Sequence, residues 1–214
     1  MNPSWVRGAS FVAFSFFLGS IPFGILVTHL IDPDVDLRSV GSGNIGATNV
    51  ARAVGKAAGI LTLLLDMGKG IFAMTLAGAF VEGNMDLWIA LVGGAVFLGH
   101  VFPVHMNFRG GKGVATALGV VLFLSPVTAL VLLFLFALVV YFTRYVSLGS
   151  LCAAVALPPM MALLATSRHY LTLSLVMTFL VFFSHRDNIS RLFAGRERKL
   201  GAAGGESPEE NTPS

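Results

Sequence analysis

Four short polar segments of this chain carry the residue types that hold phosphate. They are Gly41-Ser42-Gly43-Asn44-Ile45-Gly46-Ala47-Thr48-Asn49 with Arg52 beyond it, Phe108-Arg109-Gly110-Gly111-Lys112-Gly113, Arg144-Tyr145-Val146-Ser147-Leu148-Gly149-Ser150, and Ser184-His185-Arg186-Asp187-Asn188. In the first, glycines let a ligand approach backbone N–H groups closely, while Ser42, Asn44, Thr48 and Asn49 add hydroxyls and amides. Arg52 adds a planar fork matched to phosphate oxygens. The spacing Gly41-x-Gly43-x-x-Gly46 also fits the dinucleotide fingerprint, but it follows an apolar run of membrane type and no βαβ unit is at hand. In the second segment Gly110, Gly111 and Gly113 surround Lys112 and lead through Thr116 into an apolar helix. That arrangement brings N–H groups and a cation to one helix N-terminus, which binds anions. It is not a Walker A loop, since Met106 stands where the first glycine should be and Gly113 where Ser or Thr should be, so nucleotide hydrolysis is not implied.

In the last segment His185 and Asn188 are three apart and share a face if the helix continues. The imidazole could accept a proton or hold a hydroxyl, and the amide could fix an oxygen. Ser147 and Ser150 are further donors, although serines near helix ends usually serve as caps. Asp66 and Lys69 form an i, i+3 pair inside an apolar run, where mutual neutralisation makes them structural. His29 and Asp34 have the His-x₄-Asp spacing of acyl-CoA-dependent acyltransferases, but Asp32-Pro33-Asp34 breaks the helix there and such a pair arises easily by chance. His100 and His105 flank Phe102-Pro103 without the spacing of a helical zinc pair. Cys152 is the only cysteine, so no disulfide can form within the chain.

The elements that must position these residues are membrane helices. A mean hydropathy of +0.81, with 55% hydrophobic and 12% charged residues, does not describe a soluble domain. The apolar material comes in runs near the ~20 residues that cross a hydrocarbon core. The fold class expected is therefore all-α: a polytopic membrane protein with about seven transmembrane helices, near 5–31, 56–81, 87–105, 113–125, 127–143, 149–166 and 169–184. The first run is too long and lacks the charged start of a cleavable signal peptide, so it reads as a mature spanning helix. Runs four and five are parted only by Ser125-Pro126, read as a tight turn. With seven spans all four polar segments fall on one face; a six-span count would divide them and leave neither face a complete site. All of the 14 Lys and Arg except Arg7 and Arg168 lie on or near that face. The positive-inside rule then makes it cytoplasmic, with the N-terminus outside and the C-terminus inside. One membrane domain covers 1–199, and 200–214, rich in Gly, Ala, Pro, Glu and Ser, reads as a disordered cytoplasmic tail. No basic stripe with interleaved aromatics suits nucleic acid.

Three blocks, GSGNIGATNVARAVGKAAG (41–59), GHVFPVHMNFRGGKGVAT (99–116) and SHRDNISRLFAGRERK (184–199), resemble the signature segments of the bacterial integral-membrane acyl-phosphate:glycerol-3-phosphate acyltransferases. Asp66-x-x-Lys69-Gly70 and Tyr145-Val146-Ser147-Leu148 are similar to that family as well. The likeness spans nearly the whole chain up to the tail. It implies a seven-span enzyme of the bacterial inner membrane with its active site at the cytoplasmic face, working without cofactor, metal, acyl-CoA or acyl carrier protein. The implied reaction moves a fatty acyl group from acyl phosphate to the 1-hydroxyl of sn-glycerol 3-phosphate, the first acylation of phospholipid synthesis, and allows a hand-off from the enzyme that makes acyl phosphate. The family's functional residues fall on Ser42, Arg52, Lys112, Ser150, His185 and Asn188, and its last-block glutamate falls on Glu197 in a structural role. A transporter of organic phosphates would use the same cations, but near the bilayer midplane in broken helices. An acyl-CoA-dependent enzyme would rest on His29 and Asp34.

Overall fold

The computed structural model describes residues 3–164 and 167–201; the tail expected over 200–214 falls, beyond Gly201, outside the described residues. All regular structure among these residues is helical, and the protein is a multi-pass integral membrane protein. Five stretches are long and apolar enough to cross a bilayer: Ser4–Ile31, Lys56–Phe80, Met85–Met106, Pro126–Thr143 and Val146–Leu164, with two shorter apolar helices, Val114–Leu124 and Arg168–Ser184.

The first apolar run is not one helix. It divides into α1 (Pro3–Gly19) and α2 (Phe23–Ile31), because Pro22 has no N–H to give and the Ser20 hydroxyl turns back to Phe16 O at 2.9 Å. The first polar segment is half loop and half helix: α3 covers Ala47–Val54. Then come α4 (Lys56–Phe80), α5 (Met85–Val101) and a single 3₁₀ turn at Val104–Met106. The stretch around Ser125-Pro126 resolves into α6 (Val114–Leu124) and α7 (Pro126–Thr143), which pack on each other. Ser125 Oγ caps α7 by accepting from Thr128 N, and Pro126 fills the first helical turn, where its missing N–H costs nothing. The remaining helices are α8 (Val146–Leu164), α9 (Arg168–Ser184) and α10 (Arg186–Phe193).

α5 is the axis of the bundle, with 67% of its apolar window buried against 17% for α7, which faces outward. Helices approach closely through glycines, as in membrane bundles generally. A β-carbon at Gly19 would collide with the carbonyl of Val96, and one at Gly99 with that of Phe16, so α1 lies directly on α5. Gly119 likewise leaves no room beside the Met67 carbonyl, which sets α6 on α4. With α3 and α5 also packed on α4, the polar ends of α3, α4, α5 and α6 come to one end of the bundle. There the segment 194–201 returns from α10 to Arg144, whose carbonyl accepts from Leu200 N at 2.6 Å.

Candidate functional site

The polar segments converge on one cavity of about 260 Å³. Its wall includes Gly41, Ser42, Asn44, Thr48 and Arg52 from the first segment, and Lys112 and Gly113 from the second. Ser147 and Ser150 come from α8, and His185 and Asn188 from the α9–α10 junction. The expected residues Gly43, Asn49, Gly110, Gly111 and Thr116 are not part of it.

Asn49 is buried and staples the loop ahead of α3. Its Nδ2 donates to Leu37 O and Val40 O, both at 3.0 Å, and its Oδ1 accepts from Ser42 N at 3.0 Å. Gly41 and Gly43 meet this staple with φ of +60° and +65°, a conformation that glycine adopts freely. Gly110 and Gly111 do not offer their N–H groups to a ligand: these donate to Val101 O at 3.1 Å and His100 O at 3.0 Å. Their small size is what the fold uses, since a β-carbon on Gly111 would run into Nε2 of His100. Thr116 is buried between α6 and α4, away from the cavity, with its hydroxyl unpartnered among the described residues. The free amides of the second segment therefore begin at Lys112 and Gly113, where α6 starts.

Behind this loop lies a buried network of Asp66, Lys69 and His100. Lys69 Nζ contacts Asp66 Oδ1 at 2.7 Å, His100 Nδ1 at 2.9 Å and Ile21 O at 3.1 Å. An ammonium can only donate, so His100 accepts at Nδ1 and carries its hydrogen on Nε2. The expectation that Asp66 and Lys69 are structural fits this arrangement. His100, which has no helical zinc-pair spacing with His105, joins them because α4 and α5 pack side by side, with Asp66 Oδ1 3.4 Å from its Nδ1.

Glu197 is the hub on the opposite wall. Its Oε1 accepts from Ser147 Oγ at 2.7 Å and Asn188 Nδ2 at 2.6 Å, and its Oε2 pairs with Arg191 Nε at 2.9 Å. Burial alone would push its pKa up, but these three donors outweigh that and hold the carboxyl below the usual carboxylate range. Asn188, fixed through its amide nitrogen, presents Oδ1 to Lys112 Nζ. Burial of Lys112, aided by Arg191 and Arg52 and opposed by Glu197, lowers its pKa to about 8. Arg52 is also held below its ordinary value, by burial first and then by the facing Arg198. His185 Nδ1 lies 2.8 Å from Val181 O, which makes Nδ1 the donor and leaves Nε2 as an acceptor. Burial, then the Lys112 charge, depresses its pKa to about 4, so the ring is neutral near pH 7. Ser150 gives its hydroxyl to Val146 O at 3.0 Å within α8. His29 and Asp34 are exposed and stand outside the cavity.

An apolar groove of about 230 Å³ runs on from the polar cavity and shares Ala47, Thr48, Leu63, Val114, Phe136 and Ser150 with it. Past these it passes between α6, α7, α8 and α9 along Leu118, Leu132, Ala154 and Met177. The site thus has a cationic half and a hydrocarbon half that meet at the N-termini of α3 and α6.

Residues 9–195 match the family model described as glycerol-3-phosphate acyltransferase. A glycerol-3-phosphate acyltransferase of Geobacter sulfurreducens is 46% identical over 190 residues, covering 89% of this chain and 96% of the relative. One from Geotalea daltonii is 45% identical over 183 residues, covering 86% and 92%. Two crystal structures of PlsY (YgiH), an integral membrane glycerol 3-phosphate acyltransferase, are similar in fold. The glycerol 3-phosphate form superposes with a TM-score of 0.85 at 40% identity, over 91% of this chain and 96% of that one. The lysophosphatidic acid form gives 0.83 at 38% identity, over 91% and 95%.

Proposed function

The chain belongs to the glycerol-3-phosphate acyltransferase family and acylates glycerol 3-phosphate, and from that premise we propose that its donor is a fatty acyl phosphate. The products are then 1-acyl-glycerol 3-phosphate, which is lysophosphatidic acid, and inorganic phosphate. The observation that carries this reading is the meeting of a small cationic cavity with an apolar groove. The cationic part, about 260 Å³, suits glycerol 3-phosphate and the phosphoryl end of a donor better than a nucleotide-bearing thioester. The groove suits the fatty chain.

The chemistry follows from holding two dianions side by side. Arg52 and Lys112, with Ser42 and the amides that open α3 and α6, offset their repulsion. The glycerol 1-hydroxyl, hydrogen-bonded to Nε2 of His185, attacks the acyl carbonyl carbon. The new C–O ester bond forms, the bond between the acyl carbon and the bridging phosphate oxygen breaks, and phosphate leaves with that oxygen and the electron pair while the hydroxyl proton passes to His185. Asn188, held by Glu197, keeps Lys112 aimed at the leaving phosphate. An acyl phosphate is already activated, so aligning the two reactants supplies much of the acceleration, an effect that can reach ~7–11 kcal/mol.

Phosphate release by the purified protein in lipid, given glycerol 3-phosphate with palmitoyl phosphate or palmitoyl-CoA and no added metal, tests the donor. Turnover with the acyl phosphate alone is expected, and loss in Arg52→Ala ties it to this cavity. Product from the thioester alone would overturn the donor and return attention to His29 and Asp34, whereas no product from either would direct the test to phosphate transport.

The same reading takes residues 1–199 as one seven-span domain of the bacterial inner membrane, counting α6 and α9 as spans, with the N-terminus outside and the cavity facing the cytoplasm. The distribution of Lys and Arg supports it. With Cys152 replaced by Ser, a cysteine placed at Arg168 should react with an impermeant maleimide on intact spheroplasts, and one at Arg196 should not. The opposite pattern would invert the topology.

A further inference from the structure

The cavity has a charge imbalance that the roles above do not account for. Arg52, Lys112, Arg191 and Arg198 all line it, with Glu197 and Asp66 as the acidic groups on its wall. Asp66 is committed to Lys69 at 2.7 Å, and both oxygens of Glu197 are taken, one by Ser147 and Asn188 and the other by Arg191. Lys112 has Asn188. Arg198 has neither a hydrogen bond nor an ion pair among the described residues. Its Nη1 stands 3.5 Å from where a β-carbon at Gly41 would be, beside the loop that carries Ser42 and Asn44. Arg52 lines the same cavity, likewise without a hydrogen bond among the described residues, and the two cations repel one another. Two unpartnered guanidiniums turned toward the same space beside a glycine loop repel unless an anion lies between them.

The position of Arg198 is built. It rides on the segment after α10, which is pinned at its far end by a reciprocal pair: Leu200 N donates to Arg144 O at 2.6 Å, and Arg144 Nη2 donates to Leu200 O at 2.9 Å. At its near end Glu197 anchors it to α8 and α10. Between these two anchors Arg198 has little freedom to swing away from the cavity mouth, although it remains exposed to solvent.

The geometry points to Arg198 as a phosphate-binding residue that works with Arg52 as a pair of guanidiniums around one substrate phosphate at the aqueous rim of the cavity. This rests on the acyltransfer reading for the identity of the phosphate, which belongs either to glycerol 3-phosphate or to the acyl phosphate. Because Arg198 meets solvent, its share is affinity for the incoming dianion and not the chemical step.

The test uses Arg198→Ala and Arg198→Lys in the full chain, purified in lipid. Three quantities are read: KM for glycerol 3-phosphate, KM for palmitoyl phosphate, and binding of inorganic phosphate followed by phosphorus NMR line width. Arg198→Ala should raise one of the two KM values by about fivefold and weaken inorganic phosphate similarly, with kcat within about twofold of wild type. The KM that rises identifies the phosphate. Arg198→Lys should recover part of the loss, and the difference between the variants should shrink at roughly 0.5 M salt, where exposed charges are screened. Unchanged KM values with unchanged phosphate binding would overturn the assignment. So would a fall in kcat alone, which would make the segment a structural support. If wild type turned over neither donor, the donor reading would fail, yet the loss or retention of inorganic phosphate binding would still decide the role of Arg198.

Discussion

Lys112→Ala should abolish turnover, by on the order of 10³-fold, while the protein stays folded. Lys112 is half-buried where α6 begins, and its ammonium points at Asn188, which Glu197 holds in turn. Truncation removes the charge proposed to face the leaving phosphate but leaves the Asn188–Glu197 contact and the glycine packing on His100 intact, so thermal stability should hardly move. The same lysine sets a pH dependence. Its pKa is lowered to about 8, first by burial. The cation is therefore full below that value and lost above it. Since kcat/KM reports the free enzyme, it should bend downward near pH 8 and lose about tenfold per further unit. The kcat profile should bend at higher pH, because two bound dianions favour the charged ammonium. A kcat/KM flat to pH 10, or a folded Lys112→Ala protein of normal rate, would take this residue out of the site.

What the sequence made legible here was chemistry more than geometry. Arg52, Lys112, His185 and Asn188 stand out because a chain so apolar has few reasons to keep such groups together, and parity of the apolar runs brings them to one face. Glycine was harder to read. Gly110 and Gly111 have the composition of an anion loop, yet their amides bond to Val101 and His100, and their lack of a side chain serves the packing. No sequence rule tells a glycine needed for a ligand from one needed for a neighbouring ring. His100 was missed as a network member for a related reason: its partners lie 31 and 34 positions away on α4, and only the α4–α5 contact brings them within reach. Arg191 and Arg198 hid among the arginines that the positive-inside rule already explains. The break at Ser20-Ile21-Pro22 was announced by proline, but a run of membrane length outweighed it.

His185→Asn should lower kcat by about 100-fold and leave both KM values within about threefold of wild type. The substitution separates the two nitrogens of the ring. Nδ1 donates to Val181 O and holds the α9–α10 junction, and an asparagine amide reproduces that donor, so the junction and its neighbour Asn188 keep their places. Nε2 has no counterpart in asparagine, and the acceptor proposed for the glycerol hydroxyl is lost. His185→Ala removes both nitrogens and hollows a buried position, so it should lose stability as well as rate. The pKa of about 4 keeps the base unprotonated throughout the physiological range, though weak. The Lys112 charge contributes to that depression, and two phosphate dianions bound beside it would offset the charge and raise the basicity when the substrates are in place. A substrate phosphate, whose second ionisation lies near pH ~6, is the rival acceptor for the proton. If His185→Asn turns over near the wild-type rate, the proton goes to that phosphate, and His185 is left as the pin between α9 and α10.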